Sequence, residues 1–117
     1  MTYEQLLDWF DRHSHVDDTY FSYPGNEDCV IGAMDQVFYD SNLRPLSHGE
    51  TRYWAGYGCD VHNGVEYHSA KELFEAPIYE GLSIKDRWDE IRWDRIDGWM
   101  SEEDFDRIFE REQSTSS

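Results

Sequence analysis

The first hydrophobic residues of the chain recur with the period of an α-helix. This spacing predicts a helix over residues 2–14. Thr2 and Gln5 have the spacing of a capping box, in which each side chain satisfies a backbone N–H group of the other residue. The predicted apolar stripe consists of Tyr3, Leu6, Leu7 and Phe10. The opposite face carries the acidic residues Glu4, Asp8 and Asp11.

The next segment combines turn residues with a second helical pattern. Residues 15–27 predict a loop with a short strand over 19–23. A second helix is expected to start near Asp28 and to end before Pro45. Its buried stripe is expected to be Val30, Ala33, Met34, Val37 and Phe38.

The middle of the chain has a β-like pattern. Residues 50–60 are rich in Tyr, Trp and Gly and lead into residues 61–67, a pattern that predicts strands. Asn63-Gly64 predicts a type I′ hairpin turn, because both central residues of that turn need positive φ. Ser69 and Glu72 have capping-box spacing and predict a short helix that ends before Pro77.

The last third of the chain predicts two further helices. Ser83 is expected to cap a long helix with Ile84, Trp88, Ile91, Ile96 and Trp99 pointing inward. On that helix an acidic stripe would span about 16 Å. The stripe consists of Asp86, Glu90, Asp94 and Asp97. Ser101 is expected to cap the final helix, whose apolar stripe is Phe105, Ile108 and Phe109.

These elements predict one α+β domain over residues 1–112, with about four helices packed on a small antiparallel sheet, and a frayed polar tail over 113–117. The chain has 117 residues, of which aromatic residues make up 16%. Because each aromatic side chain buries roughly 150–250 Å², we expect an aromatic core. Such a core compensates for the small number of aliphatic residues.

Charge narrows the class of partner. The chain has 26 acidic and 10 basic residues, a formal net charge of −16. Nucleic-acid binders need basic patches, so the sequence argues against direct nucleic-acid binding. It contains no apolar run long enough for a membrane span and no secretory signal pattern. We therefore expect a cytoplasmic protein with reduced cysteines.

The acidic residues are expected to cost stability. Like charges recur four residues apart on the predicted helices, at roughly 0.2–0.5 kcal/mol for each pair. The pairs are Glu4/Asp8, Asp86/Glu90, Glu90/Asp94, Glu102/Asp106 and Asp106/Glu110. The net charge is also similar to the roughly 18 phosphates on 30 Å of duplex DNA. The sequence thus favours docking on a basic protein, such as a nuclease or another nucleic-acid-binding effector. Simple solubility is the alternative explanation.

The acidic helices around residues 4–8 and 88–91 resemble those of small phage-encoded inhibitors of bacterial defence, the anti-CRISPR and anti-restriction proteins. This resemblance lies in general character, since those families share no motif. It implies an inhibitor without chemistry of its own that blocks a nucleic-acid-handling nuclease, with nucleic-acid mimicry as one way to do so. Acidic immunity proteins, which neutralise basic toxins, are equally similar.

Aromatic residues supply candidate anchors for such a partner, because tyrosine and tryptophan bury much area with few rotatable bonds. In the segment 53–58, strand alternation would place Tyr53, Ala55 and Tyr57 on one sheet face and Trp54 on the other. Both sets are buried only if the sheet is covered on both sides. We therefore predict that Trp54 or Tyr57 is an exposed anchor.

The sequence also contains two groups of residues that could carry chemistry of their own. Cys29 at a helix start, with His62 or His68 as base, would resemble the arrangement of papain-like hydrolases, although the adjacent acidic residues disfavour a thiolate. His13 and His15 could bind a metal ion with nearby carboxylates, namely Asp11, Asp17 and Asp18. No cofactor-binding motif is present, so no cofactor is predicted. A self-assembling structural protein is a third alternative.

Overall fold

The computed structural model describes residues 1–13, 15–39, 41–42, 44–57 and 60–115, with side chains described except at 35–39, 45–50, 57, 60–65 and 114–115. Within these residues the chain forms four α-helices and five strands. The helices are α1 (Tyr3–Arg12), α2 (Ala70–Glu75), α3 (Ile84–Arg87) and α4 (Glu102–Thr115). The strands are β1 (Val16–Tyr23), β2 (Asn26–Tyr39), β3 (Pro45–Tyr57), β4 (Asp60–Tyr67) and β5 (Arg92–Arg95).

The five strands form one antiparallel sheet in the order β4-β3-β2-β1-β5. Helices packed on an antiparallel sheet make this an α+β fold, which confirms the predicted class. β2 is central, and its Ile31 pairs with Thr19 of β1 and with Ala55 of β3. The sheet therefore joins segments from almost the whole chain.

The hydrophobic core lies between the helices and one face of the sheet. Phe21, Ile31 and Ala55 contribute from the strands and are at most 2% exposed. From the helices, Phe10 and Phe74 meet edge to face with ring centroids 5.2 Å apart. The prediction of a largely aromatic core agrees with these contacts.

Helix α1 forms where the sequence predicts it. The side chain of Thr2 accepts a hydrogen bond from the backbone N–H of Gln5, and the Gln5 side chain accepts one from the backbone N–H of Thr2. Leu6 and Phe10 are fully buried. The Tyr53 hydroxyl donates to the carbonyl of Phe10 at 3.5 Å and so ties the end of the helix to β3.

The predicted helix after Asp28 is wrong, because residues 26–39 form strand β2. A short apolar run fits either structure, and hydrogen bonds to β1 and β3 on both sides favour the strand. Strand alternation separates the predicted stripe. Ala33 faces the core, whereas Met34 lies on the other face and is 55% exposed. The side chains of Val37 and Phe38 lie outside the described residues.

The predicted long helix after Ser83 is also wrong. The cap forms, with Ser83 and Asp86 in a capping box, but α3 ends at Arg87. A single 3₁₀ turn follows, and residues 92–95 become β5, which pairs with β1. Alternation of Ile91, Arg92 and Trp93 between partly buried, exposed and buried positions is the strand pattern that the helical spacing obscured.

The structure also describes helix α2, the segment around Asn63 and helix α4. The short helix after Ser69 forms as α2, and the Ser69 side chain accepts from the N–H of Glu72. Asn63 and Gly64 lie within the bounds of strand β4, and Tyr57 of β3 pairs with Asp60 of β4. The final helix α4 extends to Thr115, three residues into the predicted tail.

Candidate partner-binding surface

The outer face of α1 carries three carboxylates in a row. Glu4, Asp8 and Asp11 are spaced by four and three residues, which places them on one side of the helix. The buried side chains Leu6, Trp9 and Phe10 occupy the opposite side. Glu4 and Asp11 are exposed and Asp8 is half-buried. The three predicted residues therefore lie together on a surface that faces solvent, here called the α1 acidic face.

The charges on the α1 acidic face are only partly compensated. Arg12 forms an ion pair with Asp8 at 2.6 Å and with Glu112 of α4 at 3.3 Å. Partial burial, together with the nearby charge of Asp8, raises the pKa of Asp11. Glu4 and Asp11 form no ion pair within the described part of the chain. Their negative charge is therefore available to an incoming cation.

The second predicted acidic stripe does not form, since its helix ends at Arg87. Asp86 accepts from the backbone N–H of Ser83 and so completes the α3 cap. Glu90, in the 3₁₀ turn, forms an ion pair with Arg87 at 2.9 Å. On one continuous helix, Glu90 would repel both Asp86 and Asp94. Because the three residues do not share a helix face, this repulsion does not arise. Each of these carboxylates has its own local surroundings.

The two remaining residues of that stripe are also separated. Asp94 is exposed on β5, between two exposed arginines, Arg92 and Arg95. Asp97 is half-buried in a turn, where it accepts a hydrogen bond from the backbone N–H of Asp17 at 2.7 Å. Burial raises the pKa of Asp97, and that hydrogen bond opposes the shift. Asp97 therefore has a structural role in this turn.

Trp54 lies on the sheet face opposite the helices, as alternation predicts. Its ring covers Gly32 of the neighbouring strand so closely that a Cβ atom at Gly32 would be 2.5 Å from Trp54 Cζ2. The indole is partly buried, whereas Tyr53 and Ala55 are buried on the core face. The side chain of Tyr57 lies outside the described residues. Trp54 is thus packed on the sheet and only partly accessible.

Trp99 is the most exposed aromatic side chain among the described residues, and the sequence pattern did not predict its exposure. The helical pattern predicted that it points inward with Ile96, and Ile96 is indeed fully buried. Trp99, in contrast, is 63% exposed, because residues 96–100 form a turn and not a helix. Gly98 directly before it was the available signal, since a glycine inside a helical pattern weakens that interpretation.

The structure argues against Cys29 as a nucleophile. Cys29 lies inside β2 and not at a helix start, and it is 1% exposed. Burial raises the pKa of its thiol to about 11, and the adjacent Asp28 adds to the shift. A reactive cysteine needs the opposite, a lowered pKa and access to solvent. The side chain of His62 lies outside the described residues, and Cys59 is also outside them.

The two histidines near the end of α1 do not converge on a common point. His13 Nδ1 lies 2.8 Å from the carbonyl oxygen of Trp9, and its Nε2 lies 3.4 Å from Glu112 Oε1. His15 Nε2 lies 2.7 Å from Asp17 Oδ1. In the described ranges no group of three or more histidine, cysteine or acidic side chains is arranged to hold a metal ion.

Comparisons with protein-family models, with curated proteins and with solved structures found no match to this chain. Among the helices that the structure describes, none has both the length and the apolar character needed to cross a membrane.

Proposed function

We propose that this protein is an acidic inhibitor that docks on a basic nucleic-acid-handling protein, of the anti-CRISPR or anti-restriction type. It would act in the cytoplasm, where such enzymes work. The α1 acidic face carries the proposal, since Glu4, Asp8 and Asp11 share one solvent-facing side of a rigid helix. Carboxylates in this arrangement attract a cationic groove over a distance that depends on salt.

The overall charge distribution supports the proposal. With a net charge of −16, the protein has a long-range field that accelerates encounter with a basic surface. None of the described carboxylate side chains is buried. The α4 surface is more mixed, since Arg107 pairs with Asp104 and the N-terminal amine pairs with Asp106 at 2.9 Å. The α1 acidic face is therefore the better candidate for first contact.

The test uses two variants that lose the same charge. One is E4Q/D8N/D11N on the α1 acidic face. The control is E27Q/D28N/D89N, which removes three exposed carboxylates that form no ion pair among the described residues. Each protein is immobilised and exposed to nuclease-treated bacterial lysate at about 50 mM and about 500 mM salt. Captured proteins are identified by mass spectrometry and then purified.

We expect wild type and control to retain a basic protein at low salt, and the α1 variant to retain much less. The purified partner should lose DNA or RNA binding when wild-type protein is added, as measured by gel shift. A partner that is captured equally by both variants and at both salt concentrations contradicts electrostatic docking. A captured partner that still binds its nucleic acid contradicts inhibition by competition, and a basic toxin would indicate the immunity-protein alternative.

A further inference from the structure

The segment that presents Trp99 is a tight turn between two buried residues. Ile96 and Met100 form an isolated antiparallel bridge with hydrogen bonds of 2.8 and 2.9 Å, and both are at most 1% exposed. Asp97 and Gly98 have φ angles of +54° and +82°. A non-glycine residue in the left-handed region costs energy, so neighbouring contacts must hold Asp97 there.

Three hydrogen bonds hold this turn on strand β1. The backbone N–H of Gly98 donates to the carbonyl of Asp18 at 3.0 Å. The backbone N–H of Asp97 donates to Thr19 Oγ1 at 3.0 Å, and Thr19 is fully buried. In return, Asp97 Oδ1 accepts from the backbone N–H of Asp17 at 2.7 Å. The backbone that carries Trp99 is therefore fixed before any partner arrives.

The fixed turn leaves most of the Trp99 side chain exposed to solvent. Trp99 is 63% exposed and does not belong to the core, whereas Trp9 and Trp93 are at most 9% exposed. An indole on a rigid backbone loses little conformational entropy when a partner covers it. These properties are typical of an interface anchor.

The charge around the turn indicates which partner group fits. The segments 16–20 and 92–99 together contain four carboxylates and two arginines. The Asp17 side chain lies beside Gly98 of the turn, and Asp18, which is exposed, contacts Gly98 through its backbone carbonyl. A guanidinium group suits this setting, since it stacks on an indole face and pairs with a carboxylate at the same time.

We propose that Trp99 is a specificity anchor that stacks against an arginine of the basic partner. Carboxylates next to Trp99 pair with the segment of the partner that carries this arginine. This inference rests on the proposed function, because it takes the partner surface to be basic. The α1 acidic face then contributes attraction over distance, and Trp99 contributes a short-range contact that slows dissociation.

The experiment uses the full chain and a defined probe, a fluorescently labelled oligoarginine peptide. The oligocitrulline peptide of the same length is the uncharged control. Affinity is measured by fluorescence anisotropy for wild type, W99A, W99F and E4Q/D8N/D11N. The indole N–H signals of ¹⁵N-labelled protein are followed by NMR, and W99F assigns the Trp99 signal. Thermal melts confirm that the exposed substitutions leave the fold intact.

We expect oligoarginine to shift the Trp99 signal and W99A to weaken binding about five-fold or more, with W99F close to wild type. Oligocitrulline should not bind. E4Q/D8N/D11N should bind oligoarginine more weakly than wild type does, and its affinity should depend less on salt concentration. The Trp99 signal of this variant should still shift when the peptide is saturating.

Unchanged affinity of W99A together with an unshifted Trp99 signal overturns the anchor but leaves electrostatic docking intact. Failure of wild type to bind oligoarginine at low salt contradicts both proposals. Self-association that W99A abolishes identifies a contact between copies of this chain and also overturns the anchor.

Discussion

Helix α1 and the segment 83–100 begin alike and end differently. Each starts with a capping box, Thr2 with Gln5 and Ser83 with Asp86. Each continues with aromatic and aliphatic residues at helical spacing. α1 continues for ten residues, whereas α3 ends after four and the chain becomes strand β5. Local signals therefore specified both starts, but not the length of the second helix.

The packing of each segment explains the difference. α1 has one continuous apolar side that contacts α2 and α4, as in the pair of Trp9 with Phe105 at 5.3 Å between centroids. In the second segment, Trp93 packs on Phe21 of β1 at 4.9 Å, and the backbone pairs with the same strand. An available sheet edge thus outweighed helical spacing, because it satisfies backbone groups and buries Trp93 together.

The largest expected effect comes from truncating buried aromatic and aliphatic residues in both segments. F10A should destabilise the protein by about 3–5 kcal/mol and I96A by about 2–5 kcal/mol, since both residues are fully buried. W99A should change the free energy of unfolding by less than about 0.5 kcal/mol. Urea denaturation measures all three. A large cost for W99A would mean that the indole is buried, as the helical interpretation predicted.

G98A distinguishes a helix from a turn at residues 96–100, because the two structures predict opposite changes in stability. In a helix interior, alanine in place of glycine stabilises by roughly 0.5–1 kcal/mol. At φ +82°, with the new Cβ 3.0 Å from Asp17 Cβ, we expect a loss of about 1–2 kcal/mol instead. The change in denaturation midpoint measures this effect. Any gain in stability contradicts the turn geometry.

Removal of either cap tests whether the two starts are equivalent. T2A and S83A should each cost about 1 kcal/mol, because a backbone N–H group loses its acceptor. The S83A value should be the larger, since Ser83 is 3% exposed and its surroundings exclude replacement water. T2S and S83T, which keep the hydroxyl group, are the controls in thermal melts.

The smallest expected effect concerns like charges on α1. D11N should stabilise the protein by about 0.2–0.5 kcal/mol at pH 7, because it removes a charge close to Asp8. D94N should not stabilise the protein in this way, because Asp94 lies on strand β5 and not on a helix. The pKa of Asp11 is raised above its ordinary 3.8, so the wild-type carboxyl group is less favourable when charged in the folded state. The D11N gain should therefore shrink as pH falls through the raised pKa toward 3.8. A gain that persists at lower pH contradicts a charge effect.

The part of the candidate surface that lies on a single helix, the α1 acidic face, was predictable from the sequence. Glu4, Asp8 and Asp11 lie together because the apolar residues between them fix the orientation of α1. The prediction that the residues from Asp86 to Asp97 form one acidic stripe was wrong. It needed a continuous helix, whereas the chain leaves the helix after Arg87 and joins the edge of the sheet as β5. Trp99 was missed for the same reason, since its exposure follows from the turn at Asp97 and Gly98.

By itself, the sequence determined properties that need few neighbours. These are the net charge, the aromatic core, the α+β class and the places where α1, α2 and α3 begin. Only the tertiary structure decided that residues 26–39 and 92–95 are strands, and that Trp99 faces solvent. The physical reason is that helix caps are satisfied within a few residues of chain. A strand obtains its hydrogen bonds, and a turn its support, from residues distant in sequence.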